Sequence, residues 1–151
     1  MEAKMDIPEY VSREEVKRVC QQIGIRDWTS LPAAEVELKE AAIIREIVGA
    51  EALEVSVEEF QRGLEIELEH GIEFSDANVT NNHPLLTGKI VLAHLKEMLD
   101  YYTRLEVAEL EGDLLKAFLA GDQAKVTKKY QKLIEAKSLL SEQEMARIAS
   151  G

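Results

Sequence analysis

The chain has 151 residues, a net charge of −11 and a sequence pI of about 4.8. This length fits one domain, or one domain with a small appendage, and it is long enough to fold without a disulfide or a metal. Because the negative charge would repel a phosphate backbone, we expect no nucleic-acid partner. No apolar run approaches 18 residues, so we also expect no membrane partner.

One cysteine, Cys20, excludes an internal disulfide and fits a reducing compartment. No apolar signal-like stretch occurs near the beginning, so we expect an acidic, soluble, cytoplasmic protein. Residues 113–151 differ from the rest, because they hold 7 Lys/Arg against 5 Asp/Glu. This Lys-rich C-terminal helix could dock on an acidic protein partner, although such runs are most often solvated faces.

Caps and apolar spacing predict helices along most of the chain after residue 11, and Pro (3) and Gly (8) are too few to interrupt most of them. Ser12 with Glu15, and Ser56 with Glu59, form capping boxes that start two helices. In chain order the predicted helices span 12–23, 32–48, 57–70, 84–111, 114–120 and 123–140, with last turns after 141.

The helix predicted from Pro84 to Glu111 has the widest apolar arc, which indicates contact with several neighbours. No segment alternates as a strand would. We therefore predict an all-α fold, a helical bundle with a long central helix and a C-terminal helical extension. Residues 1–112 would form the bundle domain, and residues 113–151 the extension packed on it.

The candidate site consists of a Glu-x-x-His, Glu67 and His70, and its mirror, His94 and Glu97. Residues three apart on a helix share a face, so each pair can aim one imidazole and one carboxylate at a common point. Two imidazoles and two carboxylates suit Fe, Zn or Mn. On an antiparallel pair of helices the two motifs would face each other, which predicts a divalent-metal site between them.

Two further residues could support this site. Glu40 falls inside an apolar stripe, where a carboxylate must be paired or bound to a metal, so it could be an additional ligand. Tyr101, one turn after Glu97, could donate a hydrogen bond behind the ligands, or it is a core aromatic. Familiar di-iron bundles use four carboxylates and two histidines, and the candidate ligands here include fewer carboxylates. They therefore fit a site with one metal ion at least as well as a site with two.

Three other interpretations stay open. The polar residues could form a structural hydrogen-bonded network in the core of a non-enzymatic interaction module or a self-associating one, a homo-oligomer. Glu67 and His70 could instead act as an acid/base pair without metal, which requires an open pocket beside them. The sequence indicates no reaction, so it leaves open whether the chain is an enzyme.

The same segments resemble an uncharacterised family, a domain of unknown function found in bacteria, archaea and phages. The matching stretches are GLEIELEHG (63–71), NVTNNHPLLTGKIVLAHLKE (78–97) and DYYTRLE (100–106). The resemblance brings no activity, but it implies that the four candidate ligands belong to one module. It also implies that about the first 55 and last 40 residues are additions. The family usually has acidic residues at Asn82-His83, so His83 would not be a shared ligand.

Overall fold

The computed structural model describes residues 5–151, which form six α-helices and no strand. The prediction of an all-α helical fold is therefore confirmed. Over these residues, no helix has both the length and the apolar character needed to cross a membrane. The helices are α1 (Arg13–Ile23), α2 (Leu38–Val48), α3 (Val57–Glu73), α4 (Pro84–Glu97), α5 (Tyr101–Leu119) and α6 (Gln123–Ser150), with 3₁₀ turns at Trp28–Ser30, Ala50–Glu54 and Ser75–Ala77.

The chain divides between Lys96 and Glu97 into two compact units, called here the N-terminal unit and the C-terminal unit. The C-terminal unit is a hairpin of α5 and α6. The domain boundary expected after residue 112 falls within α5, which continues through that position. Leu110 and Leu114, on either side of it, belong to the cluster that packs around Leu133 of α6.

The helix expected from Pro32 begins instead at Leu38, because the backbone just before it is held by α3. The N–H of Val36 donates to Oε2 of Glu65 over 3.0 Å. The carbonyl of Val36 accepts from Nε2 of Gln61 over 2.7 Å. These bonds keep residues before α2 extended, and no local pattern in the sequence indicates them.

The single long central helix expected from Pro84 to Glu111 is interrupted, so α4 and α5 are separate helices. The N–H of Tyr101 donates to the carbonyl of Met98 over 3.0 Å, which closes a turn between them. The carbonyl of Asp100 accepts from the N–H of Arg104 and starts α5. By contrast, α6 runs without interruption through Ser141, where the predicted helix 123–140 was expected to end and the last turns to begin.

Helix α4 approaches α2 closely at Gly88. A Cβ at this position would lie 2.7 Å from Cγ2 of Ile44 and 2.9 Å from Cγ2 of Val48, so no side chain fits. The glycine is thus required by packing and not by a turn. The contact adjoins the core of the N-terminal unit, whose fully buried side chains include Trp28, Ile44, Phe60 and Leu64.

Two contacts join α3 to α4. Cζ of Phe60 lies 3.8 Å from the Cβ position of Gly88, and Oε1 of Glu67 lies 3.3 Å from Nε2 of His94. The end of α4 also contacts the turn before α3, because Nζ of Lys96 lies 2.7 Å from Oε2 of Glu51.

Candidate functional site

The structure brings together Glu67 on α3 and His94 on α4. Oε1 of Glu67 lies 3.3 Å from Nε2 of His94, and the two side chains are 15% and 30% exposed. If Nε2 carries hydrogen it can donate to this carboxylate, and if it does not it can bind a metal ion together with Oε1. The pair can therefore form a hydrogen bond or provide two ligands to a metal ion.

The other two predicted ligands are exposed. His70 lies one turn beyond Glu67 on α3, and Glu97 is the last residue of α4 and the first of the C-terminal unit. Within residues 5–151, no group of three or more His, Cys, Asp or Glu side chains is arranged to hold a metal ion. The structure thus brings together two of the four predicted ligands.

Glu40, the possible additional ligand, is completely buried and satisfied by the protein. Its Oε1 accepts from Nη2 of Arg26 (2.7 Å) and from the N–H of Glu37 (2.9 Å). Its Oε2 accepts from Nε1 of Trp28 over 3.2 Å and from Nε and the backbone N–H of Arg26. Burial alone would raise the pKa of Glu40, but these hydrogen bonds, led by Arg26, hold it below its usual range. Glu40 is therefore a charged anchor of the core.

Tyr101, expected either behind the metal ligands or as a core aromatic, lies in the C-terminal unit. Its ring packs edge-on against Tyr102, with 5.1 Å between ring centroids and 81° between the planes. Tyr101 is half-buried and Tyr102 is 2% exposed. This geometry is typical of an aromatic packing pair.

The polar loop between α3 and α4 is fixed by a series of amide hydrogen bonds. Asn78 donates to Oδ1 of Asn82 over 2.9 Å, and Asn82 donates to the carbonyl of Trp28 over 3.0 Å. Asn81 donates to the carbonyl of Val11 over 2.5 Å. Asn81 and Asn82 both have positive φ, 49° and 63°, a conformation that Asn tolerates well. Local sequence patterns do not indicate these distant partners.

His83 caps α4. Its Nδ1 accepts from the N–H groups of Leu85 (3.1 Å) and Leu86 (3.3 Å), and its carbonyl accepts from Oγ1 of Thr87 (2.7 Å). Burial lowers the pKa of His83, although the charge of Glu15 acts in the opposite direction. An aspartate at a helix N-cap would accept the same kind of bond.

No curated protein and no solved structure matches the chain. A family profile matches residues 16–111, from within α1 to within α5, and the match includes Glu67 and His94. The expectation that the first 55 residues are an addition is therefore wrong from Val16 onward. The physical reason is that α2 packs on α3 and belongs to the same unit. The chain belongs to the family of proteins of unknown function DUF5661.

Proposed function

We propose that this protein is a self-associating helical module whose C-terminal unit pairs with a second copy. The observation that carries the proposal is the apolar surface of α5 and α6. Seven large apolar side chains there are 49–74% exposed, namely Leu115, Phe118, Leu119, Tyr130, Ile134, Met145 and Ile148. Together they expose on the order of 700 Å². One partner of a standard protein–protein interface contributes a similar area, about 800 Å².

Four of these side chains share one face of α6. At 100° per residue, Tyr130, Ile134, Met145 and Ile148 fall within an arc of about 60°. Ser141 lies in the same arc. Ile134 precedes this serine by one heptad, and Ile148 follows it by one heptad. Ile134 and Ile148 are therefore placed symmetrically about a small residue.

A symmetric arrangement of this kind suits antiparallel pairing of two α6 helices. With Ser141 at the crossing point, Ile134 of each copy would contact Ile148 of the other, as a two-fold interface requires. Lys137 lies four residues before the serine and Glu144 three residues after it, so opposite charges would meet twice across the axis. Hydrophobic contact and charge thus favour the same partner, a second copy of the chain.

Sedimentation equilibrium between 1 and 100 µM tests this proposal. We expect a dimer for the wild type and a dissociation constant at least about tenfold higher for Ile148→Lys, because a symmetric dimer would bury the new charge twice. Leu139→Lys is the matched control. Leu139 is also on α6 and is 41% exposed, but it points about 150° away from the stripe.

A monomeric wild type at every concentration would overturn the proposal, as would equal weakening by Leu139→Lys. The dependence on salt concentration distinguishes self-association from the other association expected for the Lys-rich α6, which is binding to an acidic protein. An apolar dimer should persist between 50 and 500 mM NaCl, whereas binding through exposed lysines should weaken strongly over that range.

A second candidate function is binding of a divalent metal ion, Fe, Zn or Mn, by Glu67 and His94. Two atoms that each lie about 2.1 Å from a tetrahedral metal are about 3.4 Å apart. The observed separation of 3.3 Å between Oε1 of Glu67 and Nε2 of His94 is therefore compatible with shared coordination. Water would supply the remaining ligands.

Elemental analysis of protein purified without chelator tests the metal proposal. We expect about one metal ion per chain, and loss of most of it in His94→Ala. His70→Ala is the comparison, because His70 is exposed and makes no described contact with His94. Absence of metal from the wild type, or full retention in His94→Ala, would rule the site out.

A further inference from the structure

We propose that the N-terminal unit binds a small organic carboxylate in a polar cavity next to the loop between α3 and α4. The cavity has a volume of about 240 Å³, and its lining includes Arg13, Leu31, Ile72, Ser75, Asn78 and Asn82. Pockets for drug-sized ligands are larger, about 300–1,000 Å³, so the cavity suits a small acid.

The charge of Arg13 is the first argument. Each of the other arginines has a carboxylate within 4.0 Å, whereas Arg13 has no such partner among residues 5–151. Its Nη2 donates to the carbonyl of Thr29 over 3.0 Å, which uses one of the five N–H groups of a guanidinium. In a chain of net charge −11, a guanidinium beside a cavity and without a carboxylate points to an anionic ligand.

The acidic groups bonded to the cavity lining are engaged elsewhere. Glu9 accepts from Nδ2 of Asn81 over 2.6 Å, and Asp27 accepts from the hydroxyl of Thr29 over 2.6 Å. In the part of the chain that the structure describes, neither lies within ion-pair distance of Arg13. Because Glu9 and Asp27 are bonded to other groups, the guanidinium of Arg13 can form an ion pair with a ligand.

Oriented amides are the second argument. Asn82 is 8% exposed and Asn78 is half-buried, and each amide is fixed by the hydrogen bond that it donates. A side-chain amide has two N–H groups, so the described bonds use one from each. The second N–H group of each amide and the hydroxyl of Ser75 are further donors on residues that line the cavity, besides the guanidinium of Arg13.

The apolar part of the lining decides the class of anion. Leu31 and Ile72 form part of the cavity wall, and inorganic phosphate would leave their apolar surface without a partner. A carboxylate with an apolar body satisfies both parts, because a guanidinium binds a carboxylate through two parallel hydrogen bonds and the body covers the aliphatic side chains.

Benzoate is the probe, benzamide is its neutral isostere, and inorganic phosphate is the purely polar anion. In ¹⁵N-resolved NMR titrations of the full chain, we expect benzoate to shift the side-chain resonances of Arg13, Asn78 and Asn82 saturably. Its Kd should be in the millimolar range, as for ligands of this size. Benzamide and phosphate should each bind at least about tenfold more weakly.

Arg13→Gln should weaken benzoate binding at least about tenfold. Arg18→Gln is the control, since it makes the same charge change on α1 at a residue paired with Glu15, and it should stay within about twofold. Benzamide binding as tightly as benzoate, phosphate binding more tightly, or equal weakening by the two variants would each overturn the proposal. The comparison of benzoate with benzamide uses wild-type protein, so it remains decisive if Arg13→Gln folds poorly.

Discussion

The two units of this chain differ in how completely they satisfy their buried polar groups. In the N-terminal unit, the buried polar side chains of Glu40, Asn82, His83 and Thr87 all have hydrogen-bond partners. Among residues 5–151, four buried side-chain atoms lack such a partner, and three of them lie in the C-terminal unit, namely Oδ1 of Asp100, Nε of Arg104 and Oε1 of Gln143. The fourth is Oε2 of Glu51 in the N-terminal unit, which lies 2.7 Å from Nζ of Lys96. The N-terminal unit therefore satisfies its interior more completely than the C-terminal unit does.

The largest expected effect is on the interior of the N-terminal unit. Glu40→Ala removes the acceptor of Trp28 Nε1–H, of the Glu37 backbone N–H and of the Arg26 guanidinium. We expect a loss of about 3 kcal/mol in the free energy of unfolding, because buried donors left without acceptors are costly. Urea denaturation followed by the fluorescence of Trp28, the single tryptophan, measures it.

Glu46→Ala on the same helix is the control for Glu40→Ala. The Glu46 side chain is 73% exposed and lies 4.0 Å from Arg45, so its removal should change stability by less than about 0.5 kcal/mol. Equal effects of the two variants would mean that the buried polar network is not what distinguishes the N-terminal unit.

Close packing at Gly88 gives the next largest effect. Gly88→Ala places a methyl group 2.7 Å from Cγ2 of Ile44 and 2.9 Å from Cγ2 of Val48. We expect a loss of about 1–3 kcal/mol in stability, measured by the same fluorescence transition, because overpacking forces the neighbours to move. A stabilising effect, as alanine has in an open helix, would show that α4 does not approach α2 this closely.

The cap at His83 should make the N-terminal unit sensitive to acid. Its Nδ1 accepts two backbone bonds only when the imidazole is neutral, and burial lowers its pKa below the ordinary value of about 6.5. A lowered folded pKa means that the unfolded state binds the proton more readily, so stability is full above about 6.5 and falls as pH decreases through the folded pKa.

The variant that isolates this titration is His83→Asn, since asparagine caps helices without a titrating group. Unfolding should be measured in urea at pH 7.5, 6.0 and 5.0. We expect the wild type to lose up to about 1 kcal/mol more than the variant on acidification. Parallel losses in the two proteins would assign the acid sensitivity to other groups.

Sequence reasoning succeeded where the signal is local. The caps at Ser12 and Ser56 are present, since each side chain accepts from the backbone N–H three residues later. The inward position of Glu67 follows from helical periodicity alone, and its contact with His94 is present. The two caps and the inward position of Glu67 each depend on residues within one or two turns of a helix.

The failures concern partners that are distant in the chain. The packing of α4 on α2 depends on the contact of Gly88 with Ile44, which is distant in the chain, and periodicity does not indicate it. The cavity beside Arg13 joins α1 to Asn78, more than 60 residues later. A glycine is equally ambiguous in sequence, because it can end a helix, admit a neighbour or lie in the middle of a helix without either role.

Gly112 tests this ambiguity with the smallest expected effect. The sequence predicted a helix break there, but Gly112 lies within α5, and a Cβ would meet nothing within 4 Å. Gly112→Ala should therefore stabilise the C-terminal unit by about 0.5–1 kcal/mol, in contrast to Gly88→Ala. Far-UV circular dichroism should detect the gain, while the Trp28 fluorescence transition should not move. If that transition rises equally, the units unfold together and the contrast between them does not extend to stability. If α5 loses helix, Gly112 is the break that its sequence suggests.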